Sequence, residues 1–452
     1  MRSLYLAAEA LSRVPTHERL RALKRIVPRA TIDAILRSTG HATRRYLRLP
    51  AGFVVWFTIA LGLFRRDSYR HVFKWLQPYT PKGTPGRSTL CEARHRLGAA
   101  PLCRLAAAVI QLRATDRTPG AFYKGLRLMA LDSFVLDLAD SPANDRAFGR
   151  PRTGAPYPQA RVLALCEVGT HVLWRTQIKP GRRSEVVMAG HLVDGLRKDM
   201  LVLWDRGFLG CDLVQRVGAR RAHVLARIRS TLVFRPLHRF ADGSFRALLY
   251  PSPQHRKRDR GGIRVRIIEY TLDDPTRPGH GARHRLLTTL LDARRHPARS
   301  LVCLYHERWE EEVAIDELKT HQRERPVLRS QTPGGVVQEI HGLLLAHYVV
   351  RVLMCEAART NNHLAPRRMS FTGALKVLRC RLSECPKGPR GQRAWYERVV
   401  SEIAEEVLPE RRDRINPRVI KCKMSHWKKK RPPHRRWPQP TKTFRQSIAI
   451  LN

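Results

Sequence analysis

The stretch from Tyr305 to Lys319 constrains this chain more than any other, because it carries reactive side chains at helical spacing. At about 100° per residue, Tyr305, Arg308, Glu312 and Lys319 fall within roughly 60° of arc, so one helix would project them from one side. A carboxylate beside a guanidinium, an ammonium and a phenol suits a metal-bound phosphodiester, because cations can hold phosphate oxygens while the acid holds the metal. A solvated helix with i,i+4 ion pairs has the same residue types, so the stretch alone leaves both interpretations open.

Two aspartates upstream lie in segments with strand character. Asp132 lies inside the apolar segment 125–136, where a carboxylate without a partner would be costly, so it needs a metal or a counter-charge. Asp205 follows the apolar run 199–204, which is typical of a strand buried in a parallel or mixed sheet. Ligands of such sheets bind at the carboxyl ends of the strands. The sequence therefore favours a metal site made by Asp132, Asp205 and Glu312 over three separate turn or capping acids.

Other acids compete for these roles. Asp137 and Asp140 lie close to Asp132 in the sequence and remain alternatives to it. We favour Asp132 because it lies at the midpoint of the predicted strand. Asp316, one turn further along the predicted helix, is expected to pair with Lys319 at i+3.

Carboxylates of this kind predict a divalent metal. A phosphodiester in DNA is attacked only when charge on the entering and leaving oxygens is neutralised, which two divalent ions about 3.5–4 Å apart can do. Mg²⁺ prefers oxygen ligands and keeps several waters, so a few Asp and Glu side chains suffice without His or Cys. We therefore predict two Mg²⁺ ions as cofactors, with Mn²⁺ as a substitute.

The spacing Tyr305-x2-Arg308-x3-Glu312-x6-Lys319 resembles the C-terminal signature of the insertion-sequence-four family of bacterial DDE transposases. Four residue types at three fixed spacings make this signature specific. Other segments also look like the family, so the resemblance covers most of the chain. They are Leu131-Asp132-Ser133, Ser141-Pro142-Ala143-Asn144, Phe148-Gly149 and the N-terminal stretch 48–56.

This resemblance implies a fold and residue roles. The implied fold is α/β, with a ribonuclease H-like (retroviral-integrase-like) catalytic core that carries an inserted β-domain and is preceded by an all-α N-terminal domain. Asp132, Asp205 and Glu312 would be the catalytic residues and would hold the metal. The DNA-binding residues expected around them are Tyr305, Arg308, Lys319 and Arg206.

The resemblance also implies an activity. Such an enzyme binds the terminal inverted repeats of its own insertion sequence, cleaves the ends with metal-activated water, and joins the freed 3′-OH to target DNA. The implied assembly is a homodimer acting on paired ends of double-stranded DNA. Two alternatives stay open: a catalytically silent DNA-binding protein derived from such an enzyme, and a ribonuclease H-like nuclease without strand transfer.

The charge of the chain favours a polyanionic partner. Its 452 residues contain 85 Lys and Arg against 38 Asp and Glu, a formal charge of +47 that nucleic acid would neutralise. A membrane surface is the rival, but the longest apolar run, 51–64, is too short to cross a bilayer, and no signal peptide is evident. The basic tail 411–436 either holds backbone phosphates or is only solvated. We expect a cytoplasmic, nucleoid-associated protein.

Composition and turn signals divide the chain into five predicted parts. The second part reads as strands and helices in the order βββαβαβ, and the fourth contains a long apolar core helix over 336–356. The parts are a helical N-terminal DNA-binding domain (1–118), the first part of the catalytic core (119–229), an inserted β-rich domain (230–296), the completion of the core (297–360), and C-terminal helices with a basic tail (361–452).

The N-terminal part contains a candidate for end recognition. Segments 67–76 and 86–97 are separated by a turn-rich loop, and the second carries Arg94 and Arg96. This pattern is compatible with a helix-turn-helix-like pair whose arginines contact DNA. Two helices that only pack together are the alternative, because this loop is longer than the motif normally uses.

One departure from the family lies in the inserted part. Members that form a DNA hairpin hold a flipped base on an aromatic side chain, often Trp, yet 230–296 contains no Trp. Tyr270 is the candidate for stacking on that base, with Tyr250 and Phe245 behind it. A tyrosine that only packs within the insertion is the alternative.

Overall fold

The structure is a computed structural model, and it leaves two predicted segments largely outside the residues it describes. These segments are the loop within 77–85 and the basic tail 411–436. The described residues are 18–43, 49–76, 83–152, 154–229, 231–277, 280–361, 364–386, 388–409, 419–420, 428–429 and 441–451.

The chain divides into two compact units. Unit one comprises residues 1–188 and 310–408, and unit two comprises residues 189–309 and 409–452. Neither unit coincides with a domain predicted from the sequence, and the predicted boundaries stay a prediction.

Helices and strands are numbered here in chain order. The α-helices are α1 (Arg29–Ser38), α2 (Ala51–Leu63), α3 (Tyr69–Leu76), α4 (Arg87–Leu97), α5 (Ala100–Val109), α6 (Pro142–Phe148), α7 (Glu185–Val193), α8 (Cys211–Ala219), α9 (Pro253–Lys257), α10 (Ala298–His306), α11 (Trp309–Asp316), α12 (Pro333–Thr360), α13 (Phe371–Arg381), α14 (Pro389–Glu405) and α15 (Phe444–Ser447). The strands are β1 (Phe122–Tyr123), β2 (Leu126–Leu138), β3 (Gln159–Glu167), β4 (Val172–Pro180), β5 (Met200–Trp204), β6 (His223–Arg227), β7 (His238–Arg239), β8 (Phe245–Leu249), β9 (Ile263–Leu272), β10 (His284–Thr288), β11 (Val327–Leu328), β12 (Val419–Ile420), β13 (Lys428–Lys429) and β14 (Ile448–Ile450).

The sheet of unit one is an antiparallel meander. Strand β3 pairs with β2 on one side and β4 on the other, and the short strands β1 and β11 also pair with β2. Asp132 lies opposite Ala164 of β3 in this register. Apolar residues fill most of β3, and Asp132 is half-buried on the strand beside it.

The sheet of unit two begins with a parallel pair. Strands β5 and β6 run parallel, as expected when helix α8 connects them, and β10 then pairs antiparallel with β6. Strands β9, β8 and β7 continue the sheet, and β14 pairs with β9. The segment 230–296 is β-rich, as predicted. Its strands extend the sheet of β6 and form no separate sheet among the described residues. The order β2, β3, β4, α7, β5, α8, β6 confirms the predicted α/β, ribonuclease H-like fold.

Helix α12 is the core of unit one. Thr332 accepts the Gly335 N–H at 3.3 Å and Pro333 opens the helix, which is a favourable N-terminus. By length and composition α12 could cross a membrane. Since 94% of the apolar window is buried inside the protein, the helix is the core helix predicted from 336–356.

Two glycines let α12 pack closely against α2. A Cβ added at Gly342 would lie 2.6 Å from the carbonyl oxygen of Thr58, and one added at Gly62 would lie 2.6 Å from the carbonyl oxygen of Gly342. Both obstacles are backbone atoms, which cannot move aside as the end of a side chain could. The crossing therefore requires glycine at both positions.

Gly342→Ala is expected to destabilise the protein by about 1–3 kcal/mol, the usual cost of overpacking a filled core. The matched control is Gly334→Ala in the first turn of the same helix, where an added Cβ meets nothing within 4 Å. It should be neutral or stabilising, because alanine favours a helix more than glycine does. Urea unfolding of both variants measures the difference. Equal stability of the two variants would contradict the close crossing.

Candidate active site

Unit one contains a polar cleft of about 360 Å³ that joins residues distant in the sequence. Asp132 comes from β2, whereas Glu312 comes from α11 and Lys319 from the segment that follows it. All three side chains are half-buried, so they are held by the protein yet reach solvent. The polar lining residues are Asp132, Ser133, Arg161, Glu185, Glu312 and Lys319.

Asp132 is oriented by its own strand. Its Oδ1 accepts the Ser133 N–H at 2.7 Å, which fixes the carboxylate at the mouth of the cleft. The two flanking pairs of β2 and β3, at Leu131 and Ser133, keep the backbone in register. Of the competing acids, Asp137 accepts from Gln159 Nε2 at 2.8 Å, so it has a structural role on the same strand.

Glu312 and Lys319 belong to a helix that differs from the prediction. The single helix expected over 305–319 is wrong, because α10 ends at His306 and α11 begins at Trp309. The N–H groups of Glu307 and Arg308 bond to carbonyls only three residues back, which closes α10 with a turn.

A second irregularity follows α11. Residues Glu317–Gln322 form a π-helix, a rare form often found at functional sites, and Lys319 lies within it. The Asp316 carboxylate, which was expected to pair with Lys319, accepts from Thr320 Oγ1 at 2.5 Å and lies 3.4 Å from His321 Nε2. Lys319 instead lines the cleft with Glu312.

Asp205 lies in unit two, where it follows the fully buried strand β5 as the sequence predicted. It is half-buried and precedes a single 3-10 turn over Arg206–Phe208. Arg229 donates to the carbonyl oxygens of Arg206 at 3.1 Å and Gly207 at 3.3 Å. These bonds fix the loop after Asp205, while the Arg206 side chain itself is exposed.

Tyr305 does not have the exposure of a DNA contact, which corrects the expectation from the sequence. Its side chain is only 9% exposed, and its hydroxyl donates to the carbonyl oxygen of Trp204 at 3.3 Å. Burial raises the pKa of Tyr305 to about 12, so it stays a neutral donor at physiological pH. Tyr305 therefore supports the end of β5, directly before Asp205.

Arg94, which was expected to contact DNA, is buried. It is 4% exposed, and its guanidinium donates to Gln338 Oε1 at 2.7 Å, to the Tyr69 hydroxyl, and to Ser330 Oγ at 3.3 Å. These bonds tie α4 to α12 and give Arg94 a structural role, which does not favour its predicted contact with DNA. Arg96, two residues later on the same helix, is exposed and remains a candidate.

Tyr270 fits the packing alternative better than base stacking. Only 6% of it is exposed, and its ring lies 5.1 Å from the ring of His284. Burial raises its pKa to about 12. This burial favours the packing alternative, and the stacking role stays a prediction. Phe245 is likewise buried, whereas Tyr250 is half-buried and donates its hydroxyl to Asp259 at 2.5 Å.

A cluster of polar side chains beside Asp132 was not predicted from the sequence. Ser133 Oγ donates to Glu185 Oε1 at 2.6 Å, and Arg161 Nη1 donates to Ser133 Oγ at 2.9 Å and also pairs with Glu185. Arg161 further donates to the Gly181 carbonyl at 3.0 and 3.1 Å. An arginine within the apolar strand β3 was the available signal, because such a charge needs a partner.

The donor set of the cleft fits a hard divalent cation. Asp132 and Glu312 offer carboxylate oxygens, and among the described residues no histidine or cysteine lines the cleft. Oxygen ligands of this type suit Mg²⁺ or Mn²⁺ and not the softer metals. Within the described ranges no group of three His, Cys, Asp or Glu side chains is arranged to hold a metal ion.

Known proteins match the chain in both halves. Residues 17–107 match the family described as the insertion element 4 transposase N-terminal region, and residues 123–349 match the transposase DDE domain. The transposase InsG for insertion sequence element IS4 of Escherichia coli K12 is 30% identical over 400 residues, which cover 86% of this chain and 89% of that protein. The putative transposase InsZ of the same organism is 29% identical over 197 residues, covering 42% and 64%.

One solved structure is a more distant likeness. The cryo-electron microscopy structure of the piggyBac transposase synaptic complex with hairpin DNA covers 88% of this chain and 87% of its own, at 14% identity and a TM-score of 0.43. This likeness is too weak to assign residues. The DDE-domain match over residues 123–349 and the alignment with InsG along 86% of the chain show that the chain belongs to the IS4 family of DDE transposases.

Proposed function

We propose that this DNA transposase binds the ends of its own insertion sequence, cleaves them, and joins the freed 3′-OH to target DNA. One observation carries the proposal. Asp132 and Glu312, from a strand and a helix far apart in the sequence, line the same cleft as the Lys319 ammonium. Carboxylates for metal and a cation for phosphate in one half-exposed cleft are the parts that phosphoryl transfer to DNA needs.

DDE transposase domains depend on divalent metal, and we assign the metal here to carboxylates. Asp132 and Glu312 would hold it in unit one, and Asp205 of unit two would be the third ligand. The expected cofactor is two Mg²⁺ ions, with Mn²⁺ as a substitute. When bound, the ions supply activation of the attacking oxygen and neutralisation of the leaving one.

Side chains of the protein itself would position the DNA. The Lys319 ammonium lines the cleft and would neutralise a phosphate oxygen, while Glu185 accepts hydrogen bonds from Ser133 and Arg161. Arg206 is exposed and Arg308 is half-exposed, and we assign both to backbone phosphates. The net charge of +47 adds sequence-independent affinity.

The proposed partner is double-stranded DNA, first as the terminal inverted repeats and then as the target. A homodimer would hold two ends so that both are joined to one target. We place this work in the cytoplasm, at the nucleoid.

Asp132→Asn and Glu312→Gln are each expected to lower cleavage of element-end DNA more than about 100-fold, beyond the usual effect of changing a residue behind a metal ligand. Binding of the same DNA should be nearly unchanged, because affinity comes mainly from contacts with phosphates. Strand cleavage with Mg²⁺ and a gel shift measure the two quantities in parallel. Asp205→Asn is tested in the same way.

The matched control is Asp137→Asn, on the same strand as Asp132, which should cleave at the normal rate. Loss of cleavage in this control and not in Asp132→Asn would move the metal site to Asp137. Chelation with EDTA should stop cleavage by the unmodified protein. Cleavage without any joined product would identify a nuclease, and DNA binding without cleavage would identify a silent derivative.

Arg94→Gln and Arg96→Gln are expected to act on different properties, although they lie on one helix. Arg96→Gln should weaken DNA binding and reduce the slope of log K against log salt by about 0.9, with unchanged stability. Arg94→Gln should cost at least about 1.5–3 kcal/mol of stability, the worth of a hydrogen bond to a charged group. Thermal melting and DNA titration at several salt concentrations separate the two. A stable Arg94→Gln variant with weakened binding would restore Arg94 as a DNA contact.

A further inference from the structure

A histidine is buried in the tight turn between β3 and β4. His171 is 0% exposed and has a φ of 56°, in the left-handed region that side chains other than glycine rarely adopt. Its N–H donates to the Glu167 carbonyl at 2.8 Å, which closes the turn. A strained backbone conformation at a buried residue persists only where surrounding contacts hold it. The imidazole of His171 makes such contacts.

Both ring nitrogens of His171 contact carboxylates. Nε2 lies 2.9 Å from Glu310 Oε2, and Nδ1 lies 2.9 Å from Glu317 Oε1. Glu317 is also 3.3 Å from His347 Nε2 and from Arg351 Nη1. Although burial raises it, the charges of Arg351 and His171 hold the pKa of Glu317 well below its usual range. Glu317 is therefore an ionised acceptor, and the His171 Nδ1 donates to it.

Glu310 lies on α11, which carries the proposed metal ligand Glu312, and Glu317 is the first residue of the π-helix that continues it. Glu310 and Glu317 are seven residues apart, so at about 100° per residue they differ by only about 20° around the helix. Glu312 is about 200° from Glu310, which places it on the opposite side. His171 therefore contacts one face of α11 through Glu310, while Glu312 lies on the opposite face and lines the cleft with Asp132.

The contacts of His171 extend to the π-helix that follows α11. Glu317 is the first residue of this segment, and Lys319, two residues later, lines the cleft. At its far end, Gln322 Nε2 donates to the carbonyl oxygens of Gly62 at 3.2 Å and Leu343 at 3.0 Å. The segment is therefore fixed at both ends, and at the first end Glu317 is held by His171 together with His347 and Arg351.

We propose that His171 is a positioning residue that bridges Glu310 and Glu317, fixes the rotation of α11, and so sets the affinity of the Glu312 carboxylate for metal. This inference rests on the proposed function, because it takes Glu312 as a metal ligand. His171 itself touches neither metal nor DNA in this scheme. A helix held at one end only could roll about its axis, and a roll of one residue's angle, about 100°, would remove Glu312 from the cleft.

The test is direct binding of Mn²⁺ to the full-length, DNA-free protein, followed by electron paramagnetic resonance of the free ion. In His171→Gln the side chain keeps one donor but turns a carbonyl oxygen toward the second carboxylate, so one end of the bridge is lost. The expected result is about a tenfold weaker affinity for Mn²⁺, the lower end of effects from residues that orient metal ligands.

Two further variants keep the test decisive if His171→Gln loosens the protein. The double variant His171→Gln with Glu310→Gln restores a complementary bridge, because the new amide at 310 donates to the new carbonyl at 171; it should recover most of the lost affinity. His341→Gln removes another buried histidine, on α12, and should bind Mn²⁺ as the unmodified protein does.

Three results would overturn the proposal: unchanged affinity in His171→Gln, an equal loss in His341→Gln, or no recovery in the double variant. Glu312→Gln separates these from failure of the proposed function. If Glu312→Gln binds Mn²⁺ and cleaves DNA normally, the assignment of the ligand is wrong. If it loses both while His171→Gln keeps both, only the positioning role is wrong.

Discussion

The buried polar side chains of α12 hold unit one together. Glu339 pairs with Arg65, Gln338 accepts from Arg94, and Arg351 donates to the Thr170 carbonyl at 2.7 Å while reaching Glu317 at 3.3 Å. Each pair joins α12 to a segment far away in the sequence. A buried charge is costly unless it is paired, so these segments cannot separate from α12 without leaving a charge uncompensated. The cleft depends on this arrangement, because the segment that carries Glu312 and Lys319 is one of those attached.

The order of elements was predictable from local patterns. A strand that is apolar along its whole length, such as β5, can be predicted to be buried from its sequence. Asp205 could be identified as a candidate because it directly follows this apolar run. The long helix α12 was visible as an apolar segment, and the signature around Glu312 identified the region of the second cleft wall. These features depend on residues close together in the sequence, where spacing alone carries the information.

Long-range pairing set the limit of prediction. Arg94 and Arg96 lie on one short helix and look equivalent in sequence, yet one is buried in four hydrogen bonds and the other is exposed. The acceptors of Arg94 lie near residues 330–338 and at Tyr69, which no local pattern connects to it. The break before Trp309 was hidden for a different reason: the residues on both sides favour helix, and nothing in their types marks the turn.

Three consecutive glutamates on α11 show how the fold separates similar groups. Glu310 and Glu311 are buried, whereas Glu312 is half-exposed, because successive residues on a helix point about 100° apart. Three carboxylates in one helical turn would repel one another unless hydrogen-bond donors or cations lay beside them. His171 lies within hydrogen-bond distance of Glu310. Glu317 is within the same distance of His171, His347 and Arg351. The buried acids are thus paired on the buried face of the helix, while Glu312 lies on the opposite side and lines the cleft with Lys319.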